Sequence, residues 1–183
     1  MDIKAHLNNA KEIKKLYKSI KNSGDDFDKH LDKIEKIHKQ YIDEFRQYLE
    51  TSKLSKKTIN KHINHVDSYL NFFITYYFDN TIYDGMLDYV TFFSDFYIRK
   101  FMSSSVDDMS SFITSIDKFY FFMLQNKYVS KADYDESKLT IKHCKDEWLE
   151  NMRLHDEYII SNAFEDMSFN EYCLSKMNDD IDA

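Results

Sequence analysis

The chain has 183 residues, no proline, two glycines, 43% apolar residues and a net charge of −7. Tight turns, bulges and phosphate-cradling loops draw on glycine and proline, so this composition excludes an all-β sandwich, a loop-rich disulfide scaffold and a Rossmann or P-loop site. Fifteen phenylalanines and fourteen tyrosines supply a sizeable core, which excludes wholesale disorder.

Apolar residues recur at helical spacing from the start. Ile3, Leu7, Ala10, Ile13, Tyr17 and Ile20 predict a first amphipathic helix, broken at Asn22-Ser23-Gly24. Phe27, Leu31, Ile34, His38, Tyr41, Phe45 and Tyr48 mark a longer second helix. The polar joint TSKLS follows, with Ser55 placed to cap a third helix whose stripe is Ile59, Ile63, Val66, Leu70 and Phe73. A break is expected around Asp79-Asn80-Thr81, with Gly85 just beyond it. A fourth helix from about Asp88 to Phe101 reads as apolar on almost every side (Val90, Phe92, Phe93, Phe96, Tyr97, Ile98), and therefore as central.

Ser103-Ser104-Ser105 is the clearest punctuation, and Ser105 with Asp108 reads as a capping box for a fifth helix. That helix carries the cleanest stripe: Met109, Phe112, Ile113, Ile116, Phe119, Tyr120, Met123 and Leu124. Ser130 with Asp133 opens a long polar helix reaching toward Ile160, with Leu139, Ile141, Cys144, Trp148, Met152 and His155 on one side. Ser168 and Glu171 cap a last short helix before the acidic end MNDDIDA. The pattern predicts an all-α fold without a sheet.

The opening MDIKAHLNNAKE holds no apolar leader segment. The most apolar run, YLNFFITYYF, is ten residues, whereas a bilayer span needs about 20. Cys144 and Cys173 match no zinc or redox spacing. A cytoplasmic protein in a reducing compartment, without a membrane segment, is expected.

Charge is unevenly divided. Residues 1–64 hold fifteen basic and ten acidic side chains, a net of +5, and residues 65–183 hold ten and twenty-two, a net of −12. From Ser130 onward the count is six against fourteen, a net of −8. Whole-chain acidity argues against non-specific nucleic-acid affinity, while the basic front third leaves room for a local patch.

No catalytic or metal constellation emerges. His62 and His65 are spaced i, i+3, but no Cys, Asp or Glu completes a metal site, and they read as boundary histidines. Asp25-Asp26 and Asp107-Asp108 sit at helix starts, where the macrodipole favours acid. His143 and Cys144 are adjacent and point about 100° apart on a helix, the wrong geometry for a thiol–imidazole pair. No G-x-S-x-G or H-E-x-x-H motif is present. Neither an enzyme nor a cofactor is expected.

The segment KLSKKTINKHINH places Lys53, Lys56, Lys57 and Lys61 in and just before the first turns of the third helix. Backbone amides there, with the Ser55 and Thr58 hydroxyls, suit one phosphate while the lysines hold its neighbours. Lys57 and Lys61 share a face, and Arg99-Lys100 ends the fourth helix as a second basic pair. Lysine on an outer helix face is also common without any partner.

Two blocks then carry a resemblance. IDEFRQYLE runs into LSKKTINKHINHVDSYLNFF, with Leu54, Ser55 and Thr58 on a Leu-Ser-x-x-Thr joint. SSVDDMSSFITSIDKFYFFMLQNKYVS places Phe119, Tyr120, Phe122, Met123 and Leu124 in a Phe-Tyr-x-Phe-Leu type run. On these blocks, Tyr41 to about Tyr134 resembles the core-binding domain of tyrosine recombinases (phage integrases), a SAM-like four-helix module. The resemblance implies an N-terminal helical arm (1–40), the module (41–134), and an acidic C-terminal helical extension (135–183). It implies duplex DNA as partner. That family's catalytic half needs an Arg, a His-x-x-Arg and a nucleophilic Tyr, yet after Tyr134 the chain offers only Arg153 and no His-x-x-Arg. The chain is also similar to short stand-alone integrase-like proteins that carry the module alone.

Two functions follow as expectations. One is a non-catalytic DNA-binding module contacting duplex DNA through Lys53, Ser55, Lys56, Lys57, Thr58, Lys61, Arg99 and Lys100. The other is a protein-interaction or regulatory module using an acidic helical surface. For the long helix from Ser130, one expectation is that it folds back onto the module. The alternative is self-association or a protein partner through Trp148 and Met152, the lone tryptophan acting as anchor.

Overall fold

The structure is a computed structural model and describes residues 3–23, 26–77, 80–101 and 105–181. Seven helices follow the apolar periodicity, with no strand among the described residues. Helix α1 is Ile3–Ser23 and α2 is Phe27–Glu50. Helix α3 starts as Lys56–Ser68, widens into a π-helical turn at Tyr69–Ile74 and ends with Thr75–Tyr77. Helix α4 opens with a 3-10 turn, Gly85–Asp88, and continues through Tyr89–Thr91, a second π-helical turn Phe92–Phe96, and Tyr97–Lys100. Helices α5, α6 and α7 are Val106–Gln125, Lys131–Ile160 and Phe169–Ile181. No helix among the described residues is long and apolar enough to cross a membrane.

Serine caps set the helix starts. The side chains of Ser55, Ser105 and Ser130 each accept the backbone N–H three residues on, satisfying one orphan donor of the first turn. At Ser168 the box is reciprocal: its N–H donates to the Glu171 carboxylate at 2.7 Å, and Glu171 N–H returns to Ser168 Oγ at 3.4 Å. Gly24, Asp79, Ser103 and Ser104 lie outside the described residues.

Helix α5 packs between α3 and α6 and buries its whole predicted stripe except the half-buried Leu124. The two π-helical turns meet across the core, with Phe73 and Phe92 4.8 Å apart and Phe73 and Phe96 5.0 Å apart, centroid to centroid. Gly85 is the close-approach point beneath them. A Cβ there would lie 2.5 Å from Tyr120 Oη and 2.9 Å from Ile74 Cδ1, and Gly85 O accepts from Tyr69 Oη at 2.6 Å. Only glycine fits without displacing a ring that is itself hydrogen-bonded to Ile82 O.

The divisions read at 40/41 and 134/135 fall inside α2 and α6. One hydrophobic cluster runs from Ile13 to Met152 and crosses both. Helix α1 is accordingly docked. His6 stacks on Tyr128 at 4.6 Å and bonds Tyr41 Oη at 3.1 Å, and Tyr41 Oη meets Tyr83 Oη at 2.7 Å.

Four stripes are narrower than their periodicity predicts. Leu7 and Phe27 face outward at the near ends of α1 and α2. Val90 is 48% exposed, because it shares the outer side of α4 with Leu87, while Met86, Tyr89 and Phe93 turn inward. On α6 the inward line is Ser137, Ile141, Cys144, Trp148 and Met152, at spacings of three and four. Leu139 is two residues off that line and Ile159 lies beyond it, so both are exposed.

Candidate nucleic-acid interface

The α2–α3 joint is a corner built by local hydrogen bonds. The hydroxyls of Thr51 and Ser52 donate to the carbonyls of Tyr48 and Leu49, occupying acceptors that the end of α2 leaves open. Leu54 N–H donates back to Ser52 Oγ at 3.3 Å. Ser55 then adopts an extended backbone, accepts from Thr58 N–H at 3.1 Å and meets Thr58 Oγ1 at 2.9 Å. Both hydroxyls proposed as phosphate ligands are therefore engaged in the cap.

The corner presents cations. Lys53, Lys56 and Lys57 are exposed and pair with no carboxylate among the described residues. Lys61, one turn beyond Lys57, lies 3.6 Å from Asp108. Arg46 on α2 donates to Asn60 Oδ1 at 2.8 Å, which brings a guanidinium to the same corner. Lys118 of α5 lines one groove together with Lys53.

Beneath these cations two imidazoles share one hydroxyl. His62 Nδ1 and His65 Nδ1 each lie 2.8 Å from Ser115 Oγ. Ser115 gives its own proton to Ser111 O at 2.8 Å, so its oxygen accepts from both rings. Burial lowers the His62 pKa, with the charges of Lys118 and Lys61 acting in the same direction. Burial also brings His65 down to about 4, assisted by Lys61 and His62. His65 stacks on Phe112 at 4.5 Å. Both histidines are packing groups at the α3–α5 contact, and no metal-holding cluster exists among the described residues.

Arg99 and Lys100 do not join this corner. Lys100 sits over the ring of Tyr76, 5.7 Å from its centroid, at the far end of α3. Residues 56–76 span about 30 Å of helix at 1.5 Å per residue. Arg99 is clasped by both carboxylate oxygens of Asp95. That hydrogen bonding holds Asp95 below the usual carboxylate range and raises Arg99. Trp148 and Met152, read as contacts to a partner, are each 1% exposed. Trp148 packs on Phe93, so the acidic helix is folded back against α4 and its aromatic anchor belongs to the core.

Sequence reasoning missed Arg46 and Lys118. Lys118 carried a signal, because Asp117 and Lys118 are the only charges between Met109 and Leu124. A charge pair placed there must face outward, and Asp117 does so against Lys138 at 2.8 Å. No protein-family model matches the chain, and neither curated proteins nor solved structures show a match to it.

Proposed function

We propose that the chain is a non-catalytic DNA-binding module that holds duplex DNA by its phosphates at the α2–α3 joint. The observation that carries this reading is the trio Lys53, Lys56 and Lys57, exposed and unneutralised around a serine-capped helix start. A helix start directs N–H groups and the positive end of its dipole outward, which favours a phosphate between the ammonium groups. Lys61, Lys118 and Arg46 extend the cationic rim. The resemblance of residues 41–134 to the SAM-like core-binding domain of tyrosine recombinases points the same way, on the LSKKT joint and the α5 run. Strand cleavage is not part of the proposal. Arg153, the one arginine after the module, is held by Glu150 and Glu157 on its own helix.

Three to five phosphate contacts give a slope of log K against log salt of about −3 to −4.5. Titration of the purified protein against duplex DNA at two salt concentrations tests this. A salt-independent isotherm, or no binding at low salt, rejects it.

A second reading, a partner-binding module, draws on a different feature. Ile159, Ile160, Phe164, Met167 and Leu174 are exposed at the α6–α7 end, and Ile160 is 81% exposed. Clustered exposed apolar residues mark protein contacts. Sedimentation of the wild type and I160E tests it, with loss of a dimer on substitution as the expected result.

A further inference from the structure

We infer that the groove beside the basic joint takes an unpaired nucleotide of a DNA strand, its base against aromatic walls and its phosphate on Lys53 and Lys118. This rests on the DNA-binding reading and adds a preference: duplex carrying a single-stranded end over blunt duplex.

The groove lies between the end of α2, the joint and the middle of α5, with a volume of about 670 Å³. That falls within the ~300–1,000 Å³ usual for sites that enclose one small molecule. Three rings line it: Tyr48, Phe121 and Tyr134. Phe121 is 40% exposed on a helix whose other phenylalanines are buried. Its ring lies 5.9 Å from that of Tyr134, tilted by 47°, so the two form an angled wall. Lys53 and Lys118 line the same groove, and neither pairs with a carboxylate among the described residues. Asp117 contributes the one carboxylate. It accepts from Tyr134 Oη at 3.1 Å and from Lys138 Nζ at 2.8 Å. Two carboxylate oxygens offer about four acceptor sites, which leaves room for an exocyclic base amine.

The combination selects the occupant. An apolar peptide would leave two ammonium groups without a partner, and an acidic peptide would leave the rings unused. A nucleotide uses both, since every base has a π-face that stacks on an aromatic ring and every phosphate an anionic oxygen. Inside a duplex those faces are stacked on neighbouring bases and a blunt end exposes only the outer face of a paired base, whereas an unpaired nucleotide is free to turn its face into the groove. Lys56 and Lys57 stand three and four residues beyond Lys53, so a duplex held on the rim has its end within reach of the groove.

The test compares a fluorescently labelled blunt duplex with the same duplex carrying a short single-stranded overhang, by anisotropy at low salt. The overhang should bind at least about fivefold more tightly, the lower end of one stacked base. Phe121→Ala should abolish that difference, and F121L, which keeps the apolar volume, should abolish it too. K57E should weaken both duplexes together. Equal affinity of the two duplexes, or a difference that survives F121A and F121L, overturns the inference while leaving the duplex reading intact. Absence of binding to either duplex rejects both. A free deoxynucleotide monophosphate should compete only weakly. If it removes the overhang advantage at micromolar concentration, the groove is a site for free nucleotides and the assignment to a DNA strand fails.

Discussion

Trp148 of α6 lies against Phe93 of α4, with ring centroids 5.0 Å apart and planes tilted by 31°. Both residues are fully buried, and so is Met152 one turn further along α6. The acidic C-terminal helix is therefore part of the core that the first five helices share. Trp148→Ala should destabilise the protein by about 3–5 kcal/mol, as expected for removing a large buried aromatic. Urea unfolding checks this, and a loss below about 1 kcal/mol would place the ring outside the core. A chain stopped near Lys131 exposes the Phe93 side of α4 and should lose its near-ultraviolet circular dichroism.

Local chemistry was legible in the sequence, and tertiary pairing was not. Ser55, Ser105, Ser130 and Ser168 each open a helix where predicted, because a cap is decided by residues within one turn. The stripe of α5 was equally readable, since a 3.6-residue period states which side faces inward. Asp95 and Arg99 form an i, i+4 pair on one helix, which spacing alone states, whereas nothing local says that Lys100 would settle over Tyr76, about 30 Å from the basic joint. Apolar periodicity on α6 points to Leu139, but the inward position there is taken by Ser137, a small polar residue that periodicity does not flag. The widened turns at Tyr69–Ile74 and Phe92–Phe96 have no composition signal apart from a density of aromatics.

His62 and His65 share the Ser115 hydroxyl, so its loss should be felt by both. Ser115→Ala removes the acceptor that the two imidazoles share at the α3–α5 contact, leaving His65 with the Ser111 backbone and His62 without that bond. An unsatisfied buried donor costs about 1–3 kcal/mol, and a drop of that size is expected by thermal or urea unfolding. The same substitution should move the imidazole titrations seen by NMR. A stability change within about 0.5 kcal/mol would mean that other groups satisfy the rings.

Acid should unfold the protein earlier than its carboxylates alone require. Burial holds His38 and His65 at about 4, against an ordinary value of 6.5. Both are therefore neutral in the folded chain where the unfolded chain takes up protons. Their stabilisation is complete above about pH 6.5 and is lost as pH falls toward 4, because the unfolded state binds more protons throughout that window. His38, fully buried with Nδ1 on Asn71 Oδ1 at 2.7 Å, should alone account for about 2–3 kcal/mol lost by pH 4.5. Urea midpoints measured between pH 7.5 and 4.5 should fall accordingly, and a flat profile would contradict the buried neutral assignment. The carboxylates of Asp95 and Glu150, lowered by their arginine partners, act in the same direction at lower pH.

Reversing charge at the two ends of α3 separates the joint proposed to hold DNA from the rest of the basic surface. Lys56→Glu with Lys57→Glu removes two exposed ammonium groups that have no carboxylate partner among the described residues. Duplex affinity should fall for all sequences alike, and the slope of log K against log salt should become shallower by about 1.8, two contacts at 0.9 each. The melting temperature should barely change, because exposed charges contribute at most about 1 kcal/mol. Arg99→Glu supplies the contrast. Arg99 is already neutralised by Asp95 and stands at the opposite end of the helix, so its reversal should change duplex affinity less than about twofold after allowance for the long-range field. Equal losses for both variants would mean that DNA runs the length of α3 and displaces the Asp95–Arg99 pair. Loss at neither end, with both proteins folded, would leave the exposed apolar residues of the α6–α7 end as the better guide to what this chain binds.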